Sequence, residues 1–179
     1  MKTLYFTGIG SRQLPTELFD SIIKLSANIS EMGFVLRSGG ADGADSAFER
    51  GVDLVNGKKD IYLPWKNFNQ NKSVLFDVSD EATKLAESIH PAWGECSRGA
   101  KLLHSRNCYQ VLGSELQEPS CFVVAWTPDG KNRGGTRTAL VLAQRHNIPI
   151  FNLFDDMDNK IEQINDLAER IITLHKAVH

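Results

Sequence analysis

An α/β fold, a three-layer sandwich with a mainly parallel central sheet, is what this sequence predicts. Three observations carry that reading. Short apolar runs alternate with amphipathic stretches along the chain, glycine-rich turns follow several of the apolar runs, and 179 residues suffice for one well-packed domain but are few for two. Strands that alternate with helices need right-handed crossovers, and crossovers favour parallel pairing.

The elements follow in order. Residues 3–7, "TLYFT", read as a first strand that ends in the turn "GIGSR". In "LPTELFDSIIKLSANISEMG" the residues Leu18, Ile22, Leu25, Ile29 and Met32 recur on one helical face, with Pro15 near the start and Gly33 just past the end as punctuation. "FVLRS" is a second strand, "SGGADGAD" the loop after it, and roughly Asp45–Leu54 a helix. "DIYLPW" reads as a third strand leading into the polar loop "KNFNQNK". Val78 to Gly113 reads as two helices separated by "HPAWGE". Then come the buried strand "CFVVAWT", the loop "PDGKNRGG", the helix "TRTALVLAQRHN" and the strand "IPIFNL". Ile161, Ile164, Leu167, Ala168 and Ile171 share one face of a last helix within 155–179, expected to pack back on the sheet, so that 1–179 forms a single domain.

Composition narrows the function. A net charge of -2 and a pI near 6.2 oppose a surface that attracts nucleic acid in bulk, although a local basic patch stays compatible with the total. Cys96, Cys108 and Cys121 form neither a disulfide framework nor a C-x-x-C zinc motif. The reading is therefore a cytoplasmic chain with no metal site and no cofactor. The apolar run at the N-terminus breaks at Gly8, and no stretch reaches membrane-spanning length.

In an open parallel sheet, ligands sit beyond the carboxyl ends of the strands, near the switch in strand order. Three post-strand loops combine glycine with a hydroxyl or a cation: "TGIGSR", "RSGGADGAD" and "NRGGTRT". "GIGSRQ" lacks the third glycine of a dinucleotide fingerprint, and no phosphate loop of the G-x-x-x-x-G-K-[ST] type occurs. A nucleotide-like ligand needs phosphate donors, a ribose acceptor and a surface for the base. Backbone at Gly39, Gly40, Gly134 and Gly135 supplies donors, Ser11, Ser38 and Thr136 add hydroxyls, and Arg12, Arg106 or Arg133 neutralise charge. Asp42 and Asp45 suit ribose hydroxyls, and Trp65 or Trp126 suits the base. Each has an ordinary alternative. Asp42 is placed to cap a helix, Asp45 to favour its dipole, Trp126 to fill core, Arg133 to lie in solvent and His104 to pack or hydrogen-bond; Cys108 has no histidine at a motif spacing.

At these residues the chain resembles the SLOG superfamily of Rossmann-like domains, which includes the DprA/Smf recombination mediators, the LOG phosphoribohydrolases and the YspA-like group. The YspA-like layout is the closest: a first-strand G-S-R at Gly10, Ser11 and Arg12, G-G-x-x-x-G-A-D from Gly39 to Asp45, R-N at Arg106 and Asn107, and a final G-G-T at Gly134 to Thr136. The first of these loops also contains Gly8. The resemblance covers roughly 3–152 and implies binding of a small nucleotide or an ADP-ribose-like messenger, sensed or sequestered as in phage and bacterial conflict systems. It also implies a homodimer or larger assembly. One alternative that it implies is a nucleoside-monophosphate N-glycosidase. The glutamate of the LOG motif is replaced here by Ala139, which leaves Asp42, Asp45 or Glu49 as candidate catalytic carboxylates. The other is a DprA-like single-stranded DNA-binding protein, less favoured by the charge balance.

Overall fold

The computed structural model describes residues 2–132 and 134–178. Five parallel strands, β1 (Tyr5–Gly10), β2 (Val35–Ser38), β3 (Lys59–Ile61), β4 (Phe122–Trp126) and β5 (Ile150–Asn152), form one sheet in the order β3-β2-β1-β4-β5. The helices are α1 (Thr16–Glu31), α2 (Ala44–Leu54), α3 (Asp80–Glu87), α4 (Arg98–Leu112), α5 (Arg137–Arg145) and α6 (Met157–Val178). This is a Rossmann-like α/β sandwich whose strand order reverses between β1 and β4.

Both faces of the sheet are covered, as an all-parallel sheet requires. Side chains alternate along β4: Phe122, Val124 and Trp126 join Ile22, Ile29, Phe48, Ile164 and Ala168 from α1, α2 and α6, while Val123 and Ala125 join Val111, Leu140 and Ala143 from α4 and α5. α1 is capped at Met32 and followed by Gly33, whose φ of +102° suits the left-handed position after the cap; Gly33 N–H donates to Ser30 O at 2.9 Å and Phe34 N–H to Ile29 O at 3.4 Å.

One local expectation is corrected. Gly8 and Gly10 do not form a turn: they are the last residues of β1 but for Ile9 between them. Their missing side chains let helix α2 close on the strand, since a Cβ at Gly8 would lie 2.6 Å from the Phe48 ring and one at Gly10 2.6 Å from Ala44 Cβ. Buried Arg37 on β2 holds the segment between α4 and β4: its guanidinium lies 3.5 Å from the Tyr5 ring and donates to Glu118 O at 2.6 Å and Glu118 Oε2 at 2.9 Å. Among the described residues no helix is long and apolar enough to cross a membrane.

Candidate functional site

A cavity of about 730 Å³ opens at the carboxyl ends of β1 and β4, where the strand order reverses. Its size lies in the usual range for small-molecule sites. The end of β1 and residues 11–13 after it, α4, loop 127–129 after β4 and the single turn Gly134–Thr136 form its walls.

Asp45 and Arg106 sit at its base. Asp45 lies in the first turn of α2 and is 3 % exposed. Its Oδ1 accepts Gly10 N–H at 3.2 Å and its Oδ2 accepts Ala41 N–H at 3.4 Å, so one carboxylate ties the β1 loop to the β2 loop. Arg106 Nη1 stands 3.8 Å from Asp45 Oδ2 and donates to Tyr62 O at 3.3 Å. Burial raises the Asp45 pKa to about 6, against the pull of Arg106 and of the backbone donors. Burial likewise lowers Arg106 to about 10, with Asp45 opposing and Arg12 reinforcing the shift. Arg12 and Arg106 both approach the Phe68 ring, at 5.9 and 5.8 Å. Arg12 and Arg106 thus share the lining with Asp45 and Asp129, and the buried Nε of Arg106 has no hydrogen-bond partner among the described residues.

The glycines of "SGGADGAD" serve packing more directly than anion contact. A Cβ at Gly39 would lie 1.2 Å from Arg106 Nη1. The Gln110 amide is assigned with its oxygen accepting from Gly39 N–H and from Arg106 Nη1, each at 2.8 Å, and its nitrogen donating to Asn107 Oδ1 at 3.1 Å, because that orientation satisfies all three. Gly40, at φ +64°, packs on Leu63. Gly43 (φ +80°) lets the β1 loop cross α2, where Ala44 N–H donates to Ser11 O at 3.1 Å.

The cavity brings together Gly10, Ser11, Arg12, Asp45, Arg106, Asn107, Gly134, Gly135 and Thr136. Asn107 Nδ2 donates to Gly135 O at 2.6 Å and so anchors the glycine turn to α4. Other expected residues lie elsewhere. Gly8, Gly39 and Gly40 sit in packing contacts, and buried Ser38 donates to Gly8 O at 2.7 Å. Asp42 is exposed off the lining, and α2 has Gly43 at its N-cap with no side-chain cap bond. Trp126 is corrected from base platform to core, 5 % exposed. Trp65 is exposed but stands edge-on to Phe68, off the lining. Glu49 is engaged by Lys59 at 2.9 Å and by Asn71, again off the lining. Of the candidate catalytic carboxylates, therefore, Asp45 alone faces the cavity. Arg133 lies outside the described residues.

The sequence reading missed Gln110, Leu103, Thr127 and Asp129. Gln110 and Leu103 were reachable from helical spacing, since they flank Arg106 and Asn107 on one face of α4. His104 points away from this set. Its Nδ1 pairs with Thr138 Oγ1 at 2.9 Å, and burial, then the charges of His90 and Arg106, push its pKa down to about 4.

No protein-family model matches the sequence, and no curated protein matches it. Solved structures do share the fold. The Chlamydomonas rheinhardtii Moco carrier protein superposes with a TM-score of 0.56 at 15 % identity, covering 93 % of this chain and 98 % of that one. The molybdenum cofactor binding protein of Rippkaea orientalis gives 0.56 at 20 % identity over 99 % and 98 % of the two chains. DNA processing protein A from Helicobacter pylori, whose single-stranded DNA binding mode has been described, gives 0.55 at 18 % identity over 98 % and 82 %.

Proposed function

We propose that this chain is a SLOG-type domain, nearest in motif layout to the YspA-like group, that binds a small phosphorylated ligand at the β1/β4 switch point. The observation that carries the reading is the pair of guanidiniums, Arg12 and Arg106, on the cavity's lining at the carboxyl ends of β1 and β4, where the strand order reverses. The ligand class is a nucleotide or nucleotide-derived messenger such as ADP-ribose, with phosphate against Arg12 and Arg106 and sugar hydroxyls toward the polar groups of Asn107, Gln110 and Thr136. Neighbours in fold whose names speak of molybdenum cofactor or of single-stranded DNA binding are consistent with a ligand-binding role for this fold. The chain holds its ligand, as a sensor or a sequestering protein, and is expected to work as a homodimer through helix faces.

Retention rather than turnover is favoured by Asp45 itself. Both of its oxygens already accept backbone donors and a guanidinium stands beside it, so it is committed to holding the loops. Native mass spectrometry of the fresh protein, followed by titration with AMP, ADP and ADP-ribose, tests the proposal. Saturable binding at one ligand per chain, lost in Arg106→Met, is expected. Release of free base from AMP would instead favour an N-glycosidase. Binding that only oligonucleotides achieve, and that falls steeply with salt, would favour the DprA-like reading.

A further inference from the structure

We infer that His90, Cys96 and His104 form a binding site for one zinc-class metal ion at the α3–α4 junction. The three come from separate segments: His90 follows α3, Cys96 follows the short turn Trp93–Glu95, and His104 lies on α4. Their ligand atoms lie within 4.8 Å of one another. Cys96 Sγ stands 3.7 Å from His90 Nδ1 and 3.8 Å from Nε2, and the two imidazole rings are 4.4 Å apart between centroids. A tetrahedral zinc with ordinary Zn–S and Zn–N bonds holds sulfur and nitrogen about 3.6 Å apart. The sulfur–nitrogen edge is already near that spacing, and turning the two rings about their side-chain bonds brings in the remaining edges.

The surrounding contacts orient the donors. Thr138 Oγ1 engages His104 Nδ1 at 2.9 Å, which leaves Nε2 for the ion, the arrangement by which an outer hydrogen bond selects the ligating nitrogen. Ala92 N–H donates to His90 Nδ1 at 3.2 Å, and Cys96 Sγ–H to Ala92 O at 3.5 Å. Coordination through Nδ1 takes over the lone pair that Ala92 N–H now uses, while the thiol proton passes to solvent as the thiolate binds. One thiolate and two imidazoles suit Zn²⁺ or Co²⁺ and are poor ligands for Mg²⁺ or Ca²⁺. With three protein donors, a fourth position is left for water. The spacing H-x5-C-x7-H spans a helix break and matches no linear zinc motif, which explains why the sequence alone suggested no metal.

The probe is Co²⁺ added to the chelator-treated full chain. One ion per chain is expected, with a thiolate-to-cobalt charge-transfer band in the near ultraviolet that zinc abolishes, and with quenching of Trp93, whose ring lies 6.2 Å from that of His90. Cys96→Ser is expected to remove the band, and Thr138→Val to weaken binding about tenfold, whereas Cys108→Ser and Cys121→Ser leave both unchanged. Cys96 and His90 are only partly buried, so the metal-free Cys96→Ser protein should melt with the parent and keep the comparison clean. Absence of the band at one equivalent of cobalt, or its survival in Cys96→Ser, overturns the assignment. Neither result bears on ligand binding in the cavity, whose lining does not include these three residues.

Discussion

Gly39→Ala tests whether the second glycine loop exists to admit a guanidinium. The added Cβ would lie 1.2 Å from Arg106 Nη1 and 2.2 Å from the Gln110 amide oxygen, so both side chains must withdraw. Withdrawal removes the Nη1 bonds to Tyr62 O and Gln110 and leaves Asp45 buried without its cation. Stripping one partner from a buried charge pair costs about 3–5 kcal/mol, and for a domain of this size each kcal/mol moves the melting temperature by about 2–4 °C. A drop of about 10 °C is therefore expected by differential scanning fluorimetry, at the protein's own pH optimum of stability. Gly135→Ala is the matched control. Among the described residues no heavy atom lies within 4 Å of its added Cβ, and the change should stay within about 0.5 kcal/mol. Ligand affinity should fall with Gly39→Ala, read by calorimetry. A Gly39→Ala protein that melts within about a degree of the parent would refute the packing role assigned to this glycine.

Other outcomes follow from the same geometry. The folded Asp45 pKa of about 6 lies above its ordinary 3.8, so the native state binds the extra proton; its contribution is neutral below pH 3.8, turns unfavourable as the pH rises to 6 and remains so above. Against an Asp45→Asn reference, the parent should lose about 3 kcal/mol of unfolding free energy between these limits, and parallel pH profiles in chemical denaturation would exclude it. Arg12→Ala should weaken ADP-ribose binding at least about tenfold through a lost charge-assisted contact, whereas Trp65→Ala, off the lining, should change it less than about twofold in calorimetry. Arg37→Ala should cost about 3 kcal/mol or more, because it removes a buried cation from the Tyr5 ring and from Glu118; urea unfolding reads this directly.

Much of the fold was legible because two periodicities dominate it. The helical recurrence of Ile22, Leu25 and Ile29, and the unbroken apolar run of β4, each survive in the structure within a residue or two. A cavity lies where the switch-point rule directs attention, at the strand ends. The roles of individual glycines were not legible. Gly8, Gly10 and Gly39 are small because Phe48, Ala44 and Arg106 press on them from segments distant in sequence, and a local reading sees only a flexible loop. Of the two roles the sequence left open for Trp126, the structure gives the core one: the alternation along β4 turns it toward the same face as Phe122 and Val124.

The position of Asp45 shapes how the proposed anion site would work. Two backbone donors at the strand ends, Gly10 N–H and Ala41 N–H, are already taken by a carboxylate of the chain itself, and Gly39 N–H is taken by Gln110. A phosphate therefore meets side-chain cations before it meets amides in this part of the wall. Asp45 performs the task that a bound anion performs in other glycine loops: it draws together two loops whose donors would otherwise repel. That arrangement keeps the cavity formed when empty and leaves Arg106 partly neutralised. A phosphate entering beside Arg106 competes with Asp45 for the guanidinium, and weakening that pair pushes the carboxyl toward its protonated form. Binding at pH near 6 and above should therefore take up a proton, which couples occupancy of the cavity to the contact between the β1 and β2 loops.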